Sequence, residues 1–167
     1  HYGADTCTTS EPYVLGGLEF GFDQRSRAMA WAVLSAQQNR FTRSGLATAV
    51  SEDHVPTAPF FLYNCVVGND APWAVLSPRG ERFDKLRFLD TKSVFGWQAL
   101  FPTPYTANLL ESFYPLNDPR RGWYAGRFEA DGSTNGTITA NTNAVLLESL
   151  HYRAFGPLLT PRRAVTP

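Results

Sequence analysis

The sequence predicts a mainly α domain that carries small β-hairpins. Three observations lead there. A long stretch headed by Asp23 runs to Gly45 without a proline, with apolar residues at helical spacing. A second stretch, from Thr139 to Phe155, is closed by Gly156-Pro157. Two segments rich in aromatic and β-branched residues, FFLYNCVVG and WYAGRFE, are each followed by turn residues.

The elements follow in order. Residues 1–10 are polar and irregular. Ser10 can cap EPYVLGGLEFGFD, with Pro12 in the first turn. Gly16, Gly17 and Gly21 weaken that segment, so a short, closely packed helix is expected. In the next helix, Ala28, Trp31, Ala32, Ser35 and Gln38 recur at helical spacing, with Gly45 as the stop. LATAVSEDHVPTAPF reads as a loop, because Pro56 and Pro59 interrupt regular structure. FFLYNCVVG reads as a strand, Gly68-Asn69-Asp70 as a turn, and PWAVLS as the returning partner. Residues 77–90 read as a polar loop. Thr91 opens a helix through SVFGWQALF that Pro102 ends, and Thr103-Pro104 opens another to Phe113. Leu116 to Arg121 is a turn, WYAGRFE with DGSTNG a second hairpin, and Thr139 to Phe155 the last helix. The tail, 160–167, reads as flexible.

Composition narrows the function. The chain has 167 residues, enough for one domain with a sizeable core. Fifteen basic and fifteen acidic residues cancel, which argues against nucleic acid as a partner. Lys85 and Lys92 are the only lysines. No apolar run approaches the ~18 residues of a membrane span, so no membrane span is expected. Cys7 and Cys65 fit one disulfide in an oxidising compartment or two separate buried thiols, and two isolated cysteines cannot make a zinc site. The opening at His1 suggests a processed product.

No dinucleotide fingerprint, phosphate loop, zinc-protease motif or nucleophile elbow is present, and His1, His54 and His151 lack metal-set spacing. No cofactor or metal is expected. Ser51 to Pro56 holds the sharpest cluster. Adjacent acids there can occupy different environments, one as a general acid and one ionised, against the plainer reading of a solvated loop. Glu148, three residues before His151, can face inward or lie on the surface. Asp23 reads as a helix cap. Aromatics make up 14% of the chain. Trp73, Trp97, Trp123, Tyr63, Tyr105 and Tyr124 are candidate stacking platforms, a minority of which would line a groove.

The stretches TSEPYVLGGLEFGFD, TAVSEDHVP, FFLYNCVV, FGWQALFPTPYT, LNDPRRGWYAGRFEADG and ITANTNAVLLESLHYRAFGPLL together resemble a bacterial lipoprotein-related domain family of unknown function, the family numbered 3131. The resemblance runs from about Thr9 to Leu159. That family is similar to glycan-processing (α/α) toroids, so the resemblance implies a partial (α/α) toroid over 11–159. The family's domain is longer than this chain, which implies the C-terminal half of a ring. It further implies a periplasmic, cell-envelope or extracellular place and a carbohydrate polymer, β-glucan-like, as partner. The missing N-terminal half, a second chain or self-association would complete the ring. The family supplies no established catalytic residues.

The expected activity is a glycoside hydrolase or transglycosylase. The alternative is a non-catalytic glycan-binding or assembly subunit of a synthesis or export complex. Glycosyl transfer needs an acid and a second carboxylate, and Glu11, Glu52 and Asp53 are the candidates. His54, Tyr63, Trp73, Trp123, Tyr124, Asn141 and Asn143 are the candidate substrate contacts.

Overall fold

The computed structural model describes residues 6–159. The expected tail at 160–167, and the first half of the irregular N-terminal segment, lie outside that range. Helix α1 (Glu11–Leu15) begins with Pro12 in its first turn and runs on as a π-helical turn, Gly16–Phe20. Helix α2 (Gln24–Ser44) starts at a capping box: Asp23 Oδ1 accepts from Ser26 N at 2.7 Å, and Ser26 Oγ accepts from Asp23 N at 3.0 Å. It stops at Gly45, which takes the left-handed conformation.

Helix α3 (Thr91–Leu100) is the centre of the molecule. Nine of its ten residues are buried, and it packs against α1, α4 (Pro104–Phe113) and α5 (Ala140–Phe155). Asp90 caps it through Ser93 N, while α4 and α5 are capped by Thr103 and Thr139. Gly96 lets α1 approach closely: a Cβ there would overlap Val14. Trp97 is fully buried in the same layer, and its Nε1 donates to Ser10 Oγ at 3.0 Å.

Among the described residues, eleven short strands lie before and between the helices. β1 (Cys7–Thr8), β4 (Val67–Gly68) and β5 (Ala71–Pro72) form one antiparallel sheet. β2 (Glu52–His54), β3 (Phe61–Asn64) and β6 (Val75–Leu76) form a second. β7 (Phe88–Asp90), β10 (Gly126–Phe128) and β11 (Thr134–Asn135) form a third. β8 (Asn117–Asp118) pairs with β9 (Gly122–Trp123). Cys7 and Cys65 are joined by a disulfide, with Cα atoms 5.3 Å apart, which ties the first sheet to the end of β3.

This architecture corrects the expected fold class. About 47% of the described residues are helical and about 18% lie in strands, so the class is mixed α/β. The expected mainly α partial (α/α) toroid, half of a ring, does not hold. In such a ring each helix pair stacks on the next; here α3 is enclosed by helices on several sides, and 46 residues with seven strands or turns separate it from α2. Two expected loops are in part strand. Glu52–His54 pairs with β3 in the register Glu52–Tyr63, Asp53–Leu62 and His54–Phe61, and Phe88–Asp90 pairs with β10. The prolines at 56 and 59 fall between β2 and β3, where they interrupt no ladder. On α2 the buried stripe is Ala30, Val33, Leu34 and Gln37, rotated from the recurrence that the sequence suggested. Trp31 stays 44% exposed. Gln37 faces inward because its amide is used: Nε2 donates to Ser10 Oγ and Oε1 accepts from Val50 N.

Candidate active site

Lys92 stands in the first turn of α3, and only 2% of it is exposed. An ammonium so buried needs partners, and three elements supply them. Glu11 Oε2 of α1 lies 2.5 Å from Nζ, and Asn141 Oδ1 of α5 accepts from Nζ at 2.8 Å. Asp53 Oδ2 of β2 lies at 3.7 Å. The partners also bind each other or their neighbours. Asn141 Nδ2 donates to Glu11 Oε1 at 2.9 Å, and Thr142 Oγ1 donates to Asp53 Oδ2 at 2.6 Å. His54 N donates to Asp53 Oδ1 at 2.7 Å. Burial works against the ammonium, but the carboxylates of Asp90, Asp53 and Glu11 outweigh it and raise the pKa of Lys92.

Asp90, the cap of α3, is wholly buried. Burial lifts its pKa well above the ordinary value; Lys92 pulls it down, while Asp53 and Glu11 push it further up. Its Oδ1 accepts from Ser93 N, and its Oδ2 has no hydrogen-bond partner. Glu11 and Asp53 are the carboxylates in ion-pair contact with Lys92, and Asp90 acts on it electrostatically from the cap.

Glu52 is joined to Glu11 through Ser51. Ser51 Oγ accepts from Glu11 N at 3.1 Å and donates to Glu52 Oε2 at 2.8 Å. Strand pleating sends Glu52 and Asp53 to opposite faces: Asp53 is buried, Glu52 half-buried. The outer face holds an aromatic row. The His54 ring meets Phe61 edge-on at 5.0 Å, and Phe61 meets Tyr63 at 5.2 Å. The His54 side chain is 52% exposed.

Glu148 completes the acidic face. It follows Asn141 by two helical turns, so both lie on one side of α5. Its Oε2 is buried without a hydrogen-bond partner. Burial raises its pKa, and Glu19 and Glu11 raise it further, against a smaller opposing effect of His151.

The remaining predicted contacts lie elsewhere. Trp73 packs under Arg40, whose guanidinium carbon is 5.2 Å from the ring centroid, and its carbonyl accepts from Arg87. Arg40 and Arg87 converge on Glu129 at 2.6 and 3.2 Å, making this a structural brace. Trp123 and Asn143 are bound to one another: Asn143 Oδ1 accepts from Trp123 N at 2.9 Å, and Nδ2 donates to Trp123 O and Thr139 O. The Tyr124 hydroxyl accepts from Arg121. Trp97 and Tyr105 are core residues, and the Tyr105 hydroxyl donates to Thr48 O at 2.7 Å. Among the described residues no group of three or more His, Cys, Asp or Glu side chains could hold a metal ion.

A family model described as "Protein of unknown function (DUF3131)" matches residues 1–156. The chain belongs to this family. No curated protein and no solved structure matches it.

Reading the sequence alone missed Lys92 and Asp90. A signal was present: Lys92 is one of two lysines in the chain and the only charged residue of its helix, TKSVFGWQAL. Thr142 carried no such mark, since its hydroxyl reaches Asp53 only through the tertiary fold.

Proposed function

We propose that this chain is a glycan-active domain of the extracytoplasmic space, a hydrolase or transglycosylase of a β-glucan-like polymer. The observation that carries the reading is the pairing of two unlike carboxyls on one acidic face. Glu148 has its proton favoured by burial and by Glu19 and Glu11; Glu11 faces the Lys92 ammonium. Carboxyls in contrasting environments are what glycosyl transfer uses: the protonated one donates to the leaving oxygen, and the other acts as base or nucleophile. Glu148 takes the acid role here. Glu52, linked through Ser51 to the N-terminus of α1, and the row His54–Phe61–Tyr63 extend the face toward further sugar units. The disulfide supports an oxidising location.

The test is release of reducing ends from soluble β-glucans. Glu148→Gln is expected to lower turnover by about 10²–10⁴-fold, the usual worth of a general acid, with substrate binding kept. Activity of the wild type is expected to fall as pH rises through the raised Glu148 value, because the acid loses its proton there. Full turnover in Glu148→Gln would reject the assignment.

One observation favours a second reading, a glycan-binding subunit without catalysis. Glu11 and Asp53 are already engaged by Lys92, Asn141 and Thr142. Saturable glycan binding with no product, in wild type and Glu148→Gln alike, decides for it.

A further inference from the structure

Helix α5 has a second face, turned away from Glu148 and Asn141, and a cavity of about 350 Å³ opens there between α3, α4 and α5. Its walls are apolar: Phe95, Leu110, Leu146 and Trp123. The Trp123 ring is held edge-on to Phe95 at 4.8 Å, so the wall is set before any ligand arrives. Besides the exposed Tyr114 hydroxyl at the rim, two polar groups on this lining have no hydrogen-bond use within the fold. Gln98 makes no side-chain hydrogen bond, and its Oε1 is shielded from solvent. Arg153, exposed in the last turn of α5, makes no ion pair or hydrogen bond among the described residues. The Asn143 side chain is spent on backbone groups of Trp123 and Thr139, and Ser149 Oγ donates to Val145 O.

We infer that this cavity is a binding site for a small amphipathic anion: an aryl or hydrocarbon body carrying one hydrogen-bonding group and an acidic end. Apolar walls with a few placed polar groups, in ~300–1,000 Å³, are the usual make-up of a small-molecule site. The body lies against Phe95, Leu146 and Trp123. The hydrogen-bonding group meets the Gln98 amide, and a shielded, unpartnered amide oxygen is a costly arrangement that a ligand donor relieves. The acid meets Arg153, whose planar fork suits carboxylate or sulfonate. A sugar is the poorer occupant, since the walls are mainly apolar and the Asn143 and Ser149 side chains are already spent on backbone groups. The site is independent of the glycan reading, being on the other side of α5.

Anilinonaphthalene sulfonate is a matched probe, with an apolar body, one N–H and an anion; N-phenylnaphthylamine has the same body and N–H without the charge. Both are titrated into the ¹⁵N-labelled full chain, with peak shifts and fluorescence followed together. The Trp123 indole and Gln98 amide signals are expected to move in a saturable one-to-one way. The sulfonate is expected to bind at least about tenfold more tightly than the uncharged compound. Arg153→Glu, an exposed change that leaves the core intact, is expected to erase that advantage while the uncharged compound still binds. Gln98→Leu is expected to weaken both compounds several-fold. Equal binding of the two compounds, shifts confined to Glu11 and Lys92, or unsaturable shifts spread over the surface would each overturn the proposal. So would Trp123 and Gln98 signals that respond to protein concentration alone, which would show that a second copy covers the cavity.

Discussion

Lys92 concentrates the energetics of this protein in one side chain. Its ammonium is buried against Glu11 and Asp53, and breaking a buried ion pair from one side leaves charge without compensation. Lys92→Met, close in volume, is expected to destabilise the fold by about 3–5 kcal/mol, read as a shift in the urea midpoint. A loss below 1 kcal/mol would mean that water, not protein, solvates the two carboxylates. Asp90 makes a second prediction with a definite sign. Its folded pKa is raised by burial, so its contribution to stability is complete below the ordinary 3.8 and disappears as pH rises through the folded value. Asp90→Asn keeps an acceptor for the α3 cap but cannot ionise. The wild type is expected to lose stability relative to this variant by up to ~1.4 kcal/mol per pH unit across that window. Parallel pH–stability curves for the two proteins would contradict it.

At the scale of elements, α5 organises the molecule by presenting different chemistry on opposite sides. Asn141 and Glu148 look toward α1, while Leu146 and Arg153 border the cavity beside α4. One helix thus serves the acidic face and the apolar pocket at once. The approach of α1 to α3 fixes where Glu11 stands relative to Lys92, and that approach depends on Gly96 having no Cβ. Gly96→Ala gains helix propensity, worth up to about 1 kcal/mol, yet forces Val14 aside. Overpacking costs about 1–3 kcal/mol, so a net loss and a Tm lower by a few degrees are expected in calorimetry. An unchanged or higher Tm would show that α1 gives way freely. The β9 corner depends on backbone freedom in another way. Gly122 has φ +101°, and a Cβ there would run into Asn143, the residue that holds Trp123 in the cavity wall.

At the scale of the whole molecule, the disulfide closes a separation of 58 residues. In the chain-entropy model this contributes about 4 kcal/mol by restricting the unfolded chain. Reductant is expected to move the denaturation midpoint down accordingly in the wild type and not in Cys7→Ser/Cys65→Ser. Equal midpoints with and without reductant in the wild type would show that the bridge adds nothing. The Asn135-Gly136-Thr137 sequon illustrates the same global control. Asn135 is fully buried and its Nδ2 donates to His54 O, so the motif has a structural job that its sequence does not announce.

Local chemistry was legible where it acts over a few residues. The caps at Asp23, Thr103 and Thr139, the stop at Gly45 and the break at Pro102 place α2, α4 and α5, because a cap or a left-handed glycine works within one helical turn. The second hairpin, β10 with β11, was legible for the same reason. The strand at Glu52–His54 was not: three polar residues carry no periodic signal, and they extend only because Phe61–Tyr63 lies beside them. Glu11, Asp53 and Asn141 could be named as site residues from their types, yet nothing local joins positions separated by 130 residues. Sequence by itself determined the helix ends, the turn chemistry and a supply of carboxylates and amides. Tertiary structure alone decided the fold class, the enclosure of α3 and the choice of Lys92 as the hub. The physical reason is range: capping and turn preferences are settled within a few bonds, whereas the burial that makes Lys92 seek two carboxylates and an amide exists only once α1, β2 and α5 close over it.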